Sequence, residues 1–444
     1  MRTPIVDFVR EYEEKNAVRL HMPGHKGKGI LGVESLDITE IAGADELFSP
    51  DGIIKESEDN AAELFGTART LYSTEGSSLS IRAMLYLCML ARGGSSKTVL
   101  AARNVHRSFV SAAVLLDFDI EWLYSKESES IISCEVTGEA LDRRLSEMKE
   151  KPIAFYITSP DYLGNTADIA ALSEVCHRYG VLLLCDNAHG AYLNFLPESK
   201  HPIALGADMC CDSAHKTLPV LTGGGYLHIS KNAPAELARH AKKAMALFAS
   251  TSPSYLILQS LDLANAYMCD GYGEKLEKTV KRADALKAAL KENGFSLVGD
   301  EGLKLTLAPK SMGYTGTALA EYLYERNIFC EFADRDFCVL MFTPNNDGAD
   351  IDRLREALCA LPPKQRITET PPALKAPRKV MSAREAAFSK TEIIAASESK
   401  GRVLASECVA CPPAIPVVIL GEEINDAAVR LFEYYGIDKV EVVD

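Results

Sequence analysis

Lys216 closes the run Ser213, Ala214, His215, Lys216, which follows the apolar stretch GADMCCD and precedes the glycine-rich TLPVLTGGG. A lysine amine at a strand end, flanked by a hydroxyl and an imidazole, is suited to forming an imine with an aldehyde. An isolated lysine after a strand is more often a solvated surface group, so this run alone is weak. Upstream, LLLCDNAHG ends an apolar run on Asp186, where an unpaired buried carboxylate would be expensive. Such a group calls for a cationic partner. A protonated ring nitrogen is one, and the plain alternative is a strand-end aspartate capping the next turn.

In LYSTEGSSLSIRAMLYLCML, Gly76, Ser77 and Ser78 open a long helical pattern. Free backbone N–H groups and hydroxyls at a helix start can cradle a phosphate. Serine and glycine also collect at helix starts for capping alone, so this segment too is more often structural when taken singly. The order adds what no single segment has: phosphate loop, His106 after a strand, Asp186, then the Ser-x-His-Lys turn. It is the order expected of an α/β, fold-type-I pyridoxal-phosphate enzyme.

The elements that must hold these groups read as βαβ units. KTVLAARN, VHRSFVSAAVLLDF and IEWLY alternate strand, helix and strand, as do PIAFYITSP, ADIAALSEVCHRYG and VLLLC. A mostly parallel sheet follows, with ligands beyond the carboxyl ends of its strands. DLANAYMCDGYGEKLEKTVKRADALKAALKENGF is helical by its spacing, FSLVGD, GLKLTLAP and FCVLMFTP supply strands for a smaller domain, and the domain break lies near Asp270. After a proline- and charge-rich linker comes a small module, with a helix at SAREAAFSKTEIIAASESKG and strands at PVVIL and KVEVVD. The expected division is an N-terminal arm (1–45), a large cofactor domain (46–270), a small α/β domain (271–362) and a C-terminal module (363–444).

Several segments in order make the chain resemble the Orn/Lys/Arg decarboxylase family, in the short form without an N-terminal receiver-like domain. They are HMPGHKGKG, DITEIAGADELFSPDGIIKESE, the phosphate segment, RNVHRS, CDNAHGAY, DSAHKTLPVLT, STSPSYLILQSLD and PPAIPVVILGE. The resemblance implies an aspartate-aminotransferase-like large domain and decarboxylation of arginine, lysine or ornithine, feeding polyamine synthesis. It implies that Lys216 carries pyridoxal phosphate, His106 stacks on the ring, Asp186 pairs with its nitrogen and His189, with Ala188 beside it, lies near the phenolic oxygen. Ser213 would join Gly76, Ser77 and Ser78 at the phosphate, and His215 would assist proton transfer. It further implies a homodimer with shared active sites, in which Ser250, Thr251 and Ser252 reach the partner's phosphate. Leu79, Ile81, Gly223 to Gly225 and Cys411 depart from the family's pattern.

The substrate's distal cation needs a carboxylate, and Asp45, Glu46, Glu331 and Glu407 stand in suitable polar loops, each also readable as a solvated acid. An aminotransferase or aldolase-type lyase would use the same Lys216 and Asp186; Arg335 is the one candidate for an aminotransferase's substrate-carboxylate site, and a surface ion pair is its plainer role. A silent pyridoxal-phosphate-binding protein is the non-enzyme alternative. No metal is expected: His21 and His25 lack a convergent third ligand, and Cys408 and Cys411 form a CxxC with no second pair.

Composition narrows the setting. The net charge of −14 disfavours nucleic acid, no apolar run reaches the length of a bilayer span, and twelve scattered cysteines suit a reducing cytoplasm.

Overall fold

The computed structural model describes residues 1–91, 97–125, 130–406 and 415–444. They fall into two compact units, each assembled from two stretches of chain: Met1–Ser95 with Ile169–Lys275, and Ser96–Asp168 with Leu276–Asp444.

In the first unit the strand Leu182–Asp186 is buried along its whole length, as its unbroken apolar run requires. It pairs in parallel with Met209–Asp212, which pairs antiparallel with Gly225–Ile229, itself antiparallel to Arg69–Ser73. Gly76–Ala91 follows its strand as a largely apolar helix, in which Leu79 and Ile81 are core residues. Their departure from the family's pattern is thus a matter of packing. The stretch read as one helix is two, Tyr255–Cys269 in the first unit and Tyr272–Glu292, which runs on into the second, with Gly271 between them at φ +65°.

In the second unit Thr98–Ala102 lies between Asp119–Leu123 and Ala154–Thr158, parallel to both. Four antiparallel strands follow in the order Phe332–Ala333, Cys338–Met341, Lys304–Ala308, Ser296–Val298. The C-terminal stretch corrects two expectations. SAREAAFSKTEIIAASESKG is helical over Ala383–Ala387 and, as a short 3-10 turn, over Ala396–Glu398; Thr391–Ala395 is a strand paired with Lys439–Val443, because the β-branched Thr391, Ile393 and Ile394 favour a pleated partner. PVVIL forms no strand: Val417 and Val418 instead fill the core beside Leu431 and Phe432, and Arg103 donates to the carbonyls of Pro416 (3.0 Å) and Val417 (2.9 Å).

The amino terminus of the first unit hangs on one buried carboxylate. Asp262 accepts from the backbone N–H groups of Ile5 and Val6 at 3.0 Å each and from the Ser57 hydroxyl at 2.6 Å. Burial pushes its carboxyl up to about 6 despite those donors. The folded chain therefore keeps a proton there, between pH about 4 and about 6, that the unfolded chain releases. This group's contribution favours folding as pH falls through that window. Asp262→Ala is expected to lower stability by about 1–3 kcal/mol, read in denaturant melts. Asp262→Asn should flatten the pH dependence between 4 and 6; an unaltered profile would show that the group titrates normally.

Candidate active site

The carboxyl end of the Leu182–Asp186 strand carries the first functional group. Asp186 is 2% exposed, and its Oδ1 accepts from the Ala188 N–H at 3.2 Å and from the Cys211 thiol at 3.6 Å. Asp186 and Cys211 are direct partners in the parallel ladder, so the two side chains share a face. His189 stands three residues on, and its Nε2 is 3.0 Å from the Nζ of Lys216. These segments lie far apart in sequence, and the parallel pairing of the two strands joins them.

Lys216 sits in the single helical turn Ala214–Thr217, directly after the strand Met209–Asp212. His215 donates through Nδ1 to the Gly224 carbonyl at 2.8 Å, which fixes its ring. Ser213 donates to Ser77 at 2.9 Å, joining this turn to the start of the Gly76–Ala91 helix. The glycines that depart from the family's pattern are here explained by crowding. The Gly76 N–H donates to the Gly223 carbonyl at 2.7 Å, and a Cβ on Gly225 would stand 2.8 Å from the Asp212 carbonyl oxygen and 3.1 Å from the Gly76 carbonyl carbon.

The other sequence candidates are placed less centrally. His106 belongs to the second unit, where it caps the helix Arg107–Leu116 by accepting from the Ser108 N–H at 3.2 Å. Ser250, Thr251 and Ser252 are exposed, and the Ser250 N–H donates to Glu75 at 2.7 Å. Asp45 accepts from the backbone N–H groups of Glu46, Asp51, Gly52, Ile54 and Lys55, a structural task for a carboxylate expected at the substrate. Glu46 is exposed, and Glu331, in the second unit, accepts from the Tyr162 hydroxyl at 3.0 Å. Glu407, Cys408 and Cys411 lie outside the described residues. His21 meets the Tyr12 hydroxyl at 2.8 Å and His25 meets Asp37 at 3.1 Å.

Sequence reasoning passed over Asp212, His201 and His228. Asp212 has no exposed surface; its Oδ2 is 3.1 Å from the Nε2 of both histidines and its Oδ1 accepts from the Asn187 amide at 2.7 Å. Burial alone would raise its carboxyl, but the two imidazoles outweigh burial and hold it well below the usual carboxylate range. Asp212 directly precedes Ser213 and Asn187 directly follows Asp186, which was the available signal.

The family model for the major domain of Orn/Lys/Arg decarboxylases matches residues 3–306, and that for the C-terminal domain matches residues 365–439. The chain belongs to the Orn/Lys/Arg decarboxylase family. It is an amino-acid decarboxylase, a carboxy-lyase. It is 31% identical over 457 residues to an arginine decarboxylase of Bacillus subtilis, covering 96% of this chain and 91% of that relative. An arginine decarboxylase of Halalkalibacterium halodurans is 30% identical, with 96% and 92% covered. The lysine decarboxylase structure from Francisella novicida superposes with a TM-score of 0.83 at 17% identity, covering 100% of this chain and 81% of that one. The expected α/β, fold-type-I architecture is thereby established.

Because the Gly225 strand leaves no room for a side chain against Gly76, Gly225→Ala is expected to cost more than the roughly 0.5 kcal/mol of an ordinary surface substitution. Thermal melts check this. An unchanged midpoint would mean that strand and loop do not approach so closely.

Proposed function

We propose that this decarboxylase holds pyridoxal phosphate through Lys216 and acts on arginine, as a homodimer in the cytoplasm, supplying an amine to polyamine synthesis. The observation that carries the cofactor reading is the 3.0 Å approach of Lys216 Nζ to His189 Nε2, next to the buried carboxylate of Asp186. An amine that must bond covalently to an aldehyde needs a neighbour able to take up its proton, and a neutral imidazole can do so.

The residues present fit the group. Lys216 would be its covalent anchor, and Asp186, a buried carboxylate, would face its ring nitrogen. Ser77, Ser78 and Ser213, with the backbone at Gly76, would hold the phosphate at a helix start, and Ala188 and His189 would lie along the ring. His106 enters through the family resemblance. When bound, pyridoxal phosphate supplies the electron sink that lets a carbon–carboxylate bond break. The chain's own part is to keep the ring nitrogen protonated through Asp186 and to orient the substrate. It also delivers a proton to the α-carbon, from Lys216 or from His215, whose ring the Gly224 carbonyl steadies.

Arginine is favoured by the relatives named arginine decarboxylase. Glu46, Glu331 and Glu407 remain candidates for its guanidinium, with Asp45 less available. The aminotransferase alternative loses its substrate arginine, since Arg335 pairs with Glu369 at 2.6 Å. Dimerisation accounts for Leu20 and Ile30, which are 89% and 101% exposed on the N-terminal arm, apolar groups that a partner would cover. Ser250, Thr251 and Ser252 would reach the partner's phosphate. All described cysteines are free thiols, as a reducing compartment would leave them, and no described helix is long and apolar enough to cross a membrane.

The test is release of carbon dioxide and amine from arginine, lysine and ornithine, each supplied separately to protein loaded with pyridoxal phosphate. Agmatine from arginine alone is the expected result; silence with all three would overturn the substrate reading. Lys216→Ala should abolish turnover and the visible absorbance of the lysine-bound cofactor, leaving the fold intact. Asp186→Asn should lower turnover by about 100-fold or more, with a smaller loss of cofactor affinity.

A further inference from the structure

The turn Asp186, Asn187, Ala188, His189, Gly190 bears two groups at the site, Asp186 and His189, and something has to fix its shape. Its backbone is tied by the Asn187 N–H to the Cys211 carbonyl at 3.0 Å and by the Gly190 N–H to the Asn187 carbonyl at 2.8 Å. Its Asn187 side chain is fully buried, and the amide nitrogen donates to Asp212 Oδ1 at 2.7 Å. The fit around that amide is tight: a Cβ on Gly190 would stand 2.0 Å from Asn187 Oδ1. Asp212 is held from its other side by His201 and His228, and His228 is itself held by the Thr70 hydroxyl at 2.8 Å. Thus the anion is braced by groups from the Arg69–Ser73 and Gly225–Ile229 strands and from the segment before Met209.

Cys210 and His201 stand close enough to Asp212 to invite comparison with a metal site. The carboxylate, however, already has three N–H donors, which is what a buried anion needs without a metal.

We infer that the Asn187–Asp212 pair is a positioning device for catalysis: Asp212 is the braced end, and Asn187 transmits its position to Asp186 and to the His189–Lys216 contact. Asp212 also fixes Ser213 through the backbone. Neither residue touches the reacting atoms. This inference rests on the cofactor reading above for its consequence in turnover, and on the geometry alone for its effect on Lys216.

The deciding variant is Asn187→Ala, which removes the donor and leaves the anion with two imidazoles. In the holoenzyme kcat should fall about 10-fold or more with KM within about 3-fold, because a loosened turn misplaces reacting groups without removing a substrate contact. The pH midpoint of the visible absorbance should move by about half a unit or more, since His189 no longer faces Lys216 as before. In the full-length cofactor-free protein, the pH profile of Lys216 acylation by a small amine reagent, read by peptide mass spectrometry, should shift as well. Asp212→Asn should act in the same direction, and if it does not fold, Asn187→Ala decides alone. An Asn187→Ala protein whose kcat and both pH profiles match the parent overturns the inference, as does one whose losses follow only the fraction unfolded. If the parent shows no visible absorbance with pyridoxal phosphate, the cofactor reading fails, and the acylation profile still judges the pair.

Discussion

A carboxylate without exposed surface must be surrounded by donors, or the chain pays several kcal/mol for an unpaired buried charge. Asp212 meets that demand with two imidazoles and an amide drawn from separate parts of the first unit. The strand ending at Asp212 runs straight into Ser213 and the Lys216 turn, and the amide it holds belongs to the turn that carries Asp186 and His189.

Glycine serves the same end from the opposite direction. Gly223 and Gly225 let backbone segments pack where a single Cβ would crowd Thr74, Asp212 and Gly76. Leu79 and Ile81 are core residues of the Gly76–Ala91 helix, and Gly223 to Gly225 stand where added Cβ atoms would meet neighbouring atoms.

The second unit shows how local preference yields to partners. Thr391, Ile393 and Ile394 sit in a stretch that a helical reading covers, yet they pair with residues of Lys439–Val443, far along the chain. Val417 and Val418 look like a strand and are instead core residues without one, since Arg103 takes the carbonyls of Pro416 and Val417 that a neighbouring strand would need. A half-buried carboxylate such as Asp45 looks like a ligand until its backbone partners are seen.

The sequence by itself determined the βαβ alternation outside the C-terminal module and the identity of Lys216, Asp186 and the Gly76 loop as groups set at strand ends and a helix start. Each depends on neighbours within a few residues, where hydrophobic period and turn chemistry are written directly. The tertiary structure alone decided that His189 faces Lys216, that Asp212 is held by His201, His228 and Asn187, and that the C-terminal stretch is a strand where a helix was expected. Those outcomes are set by contacts between segments far apart in the chain, and no local pattern states which buried donor will find which buried acceptor.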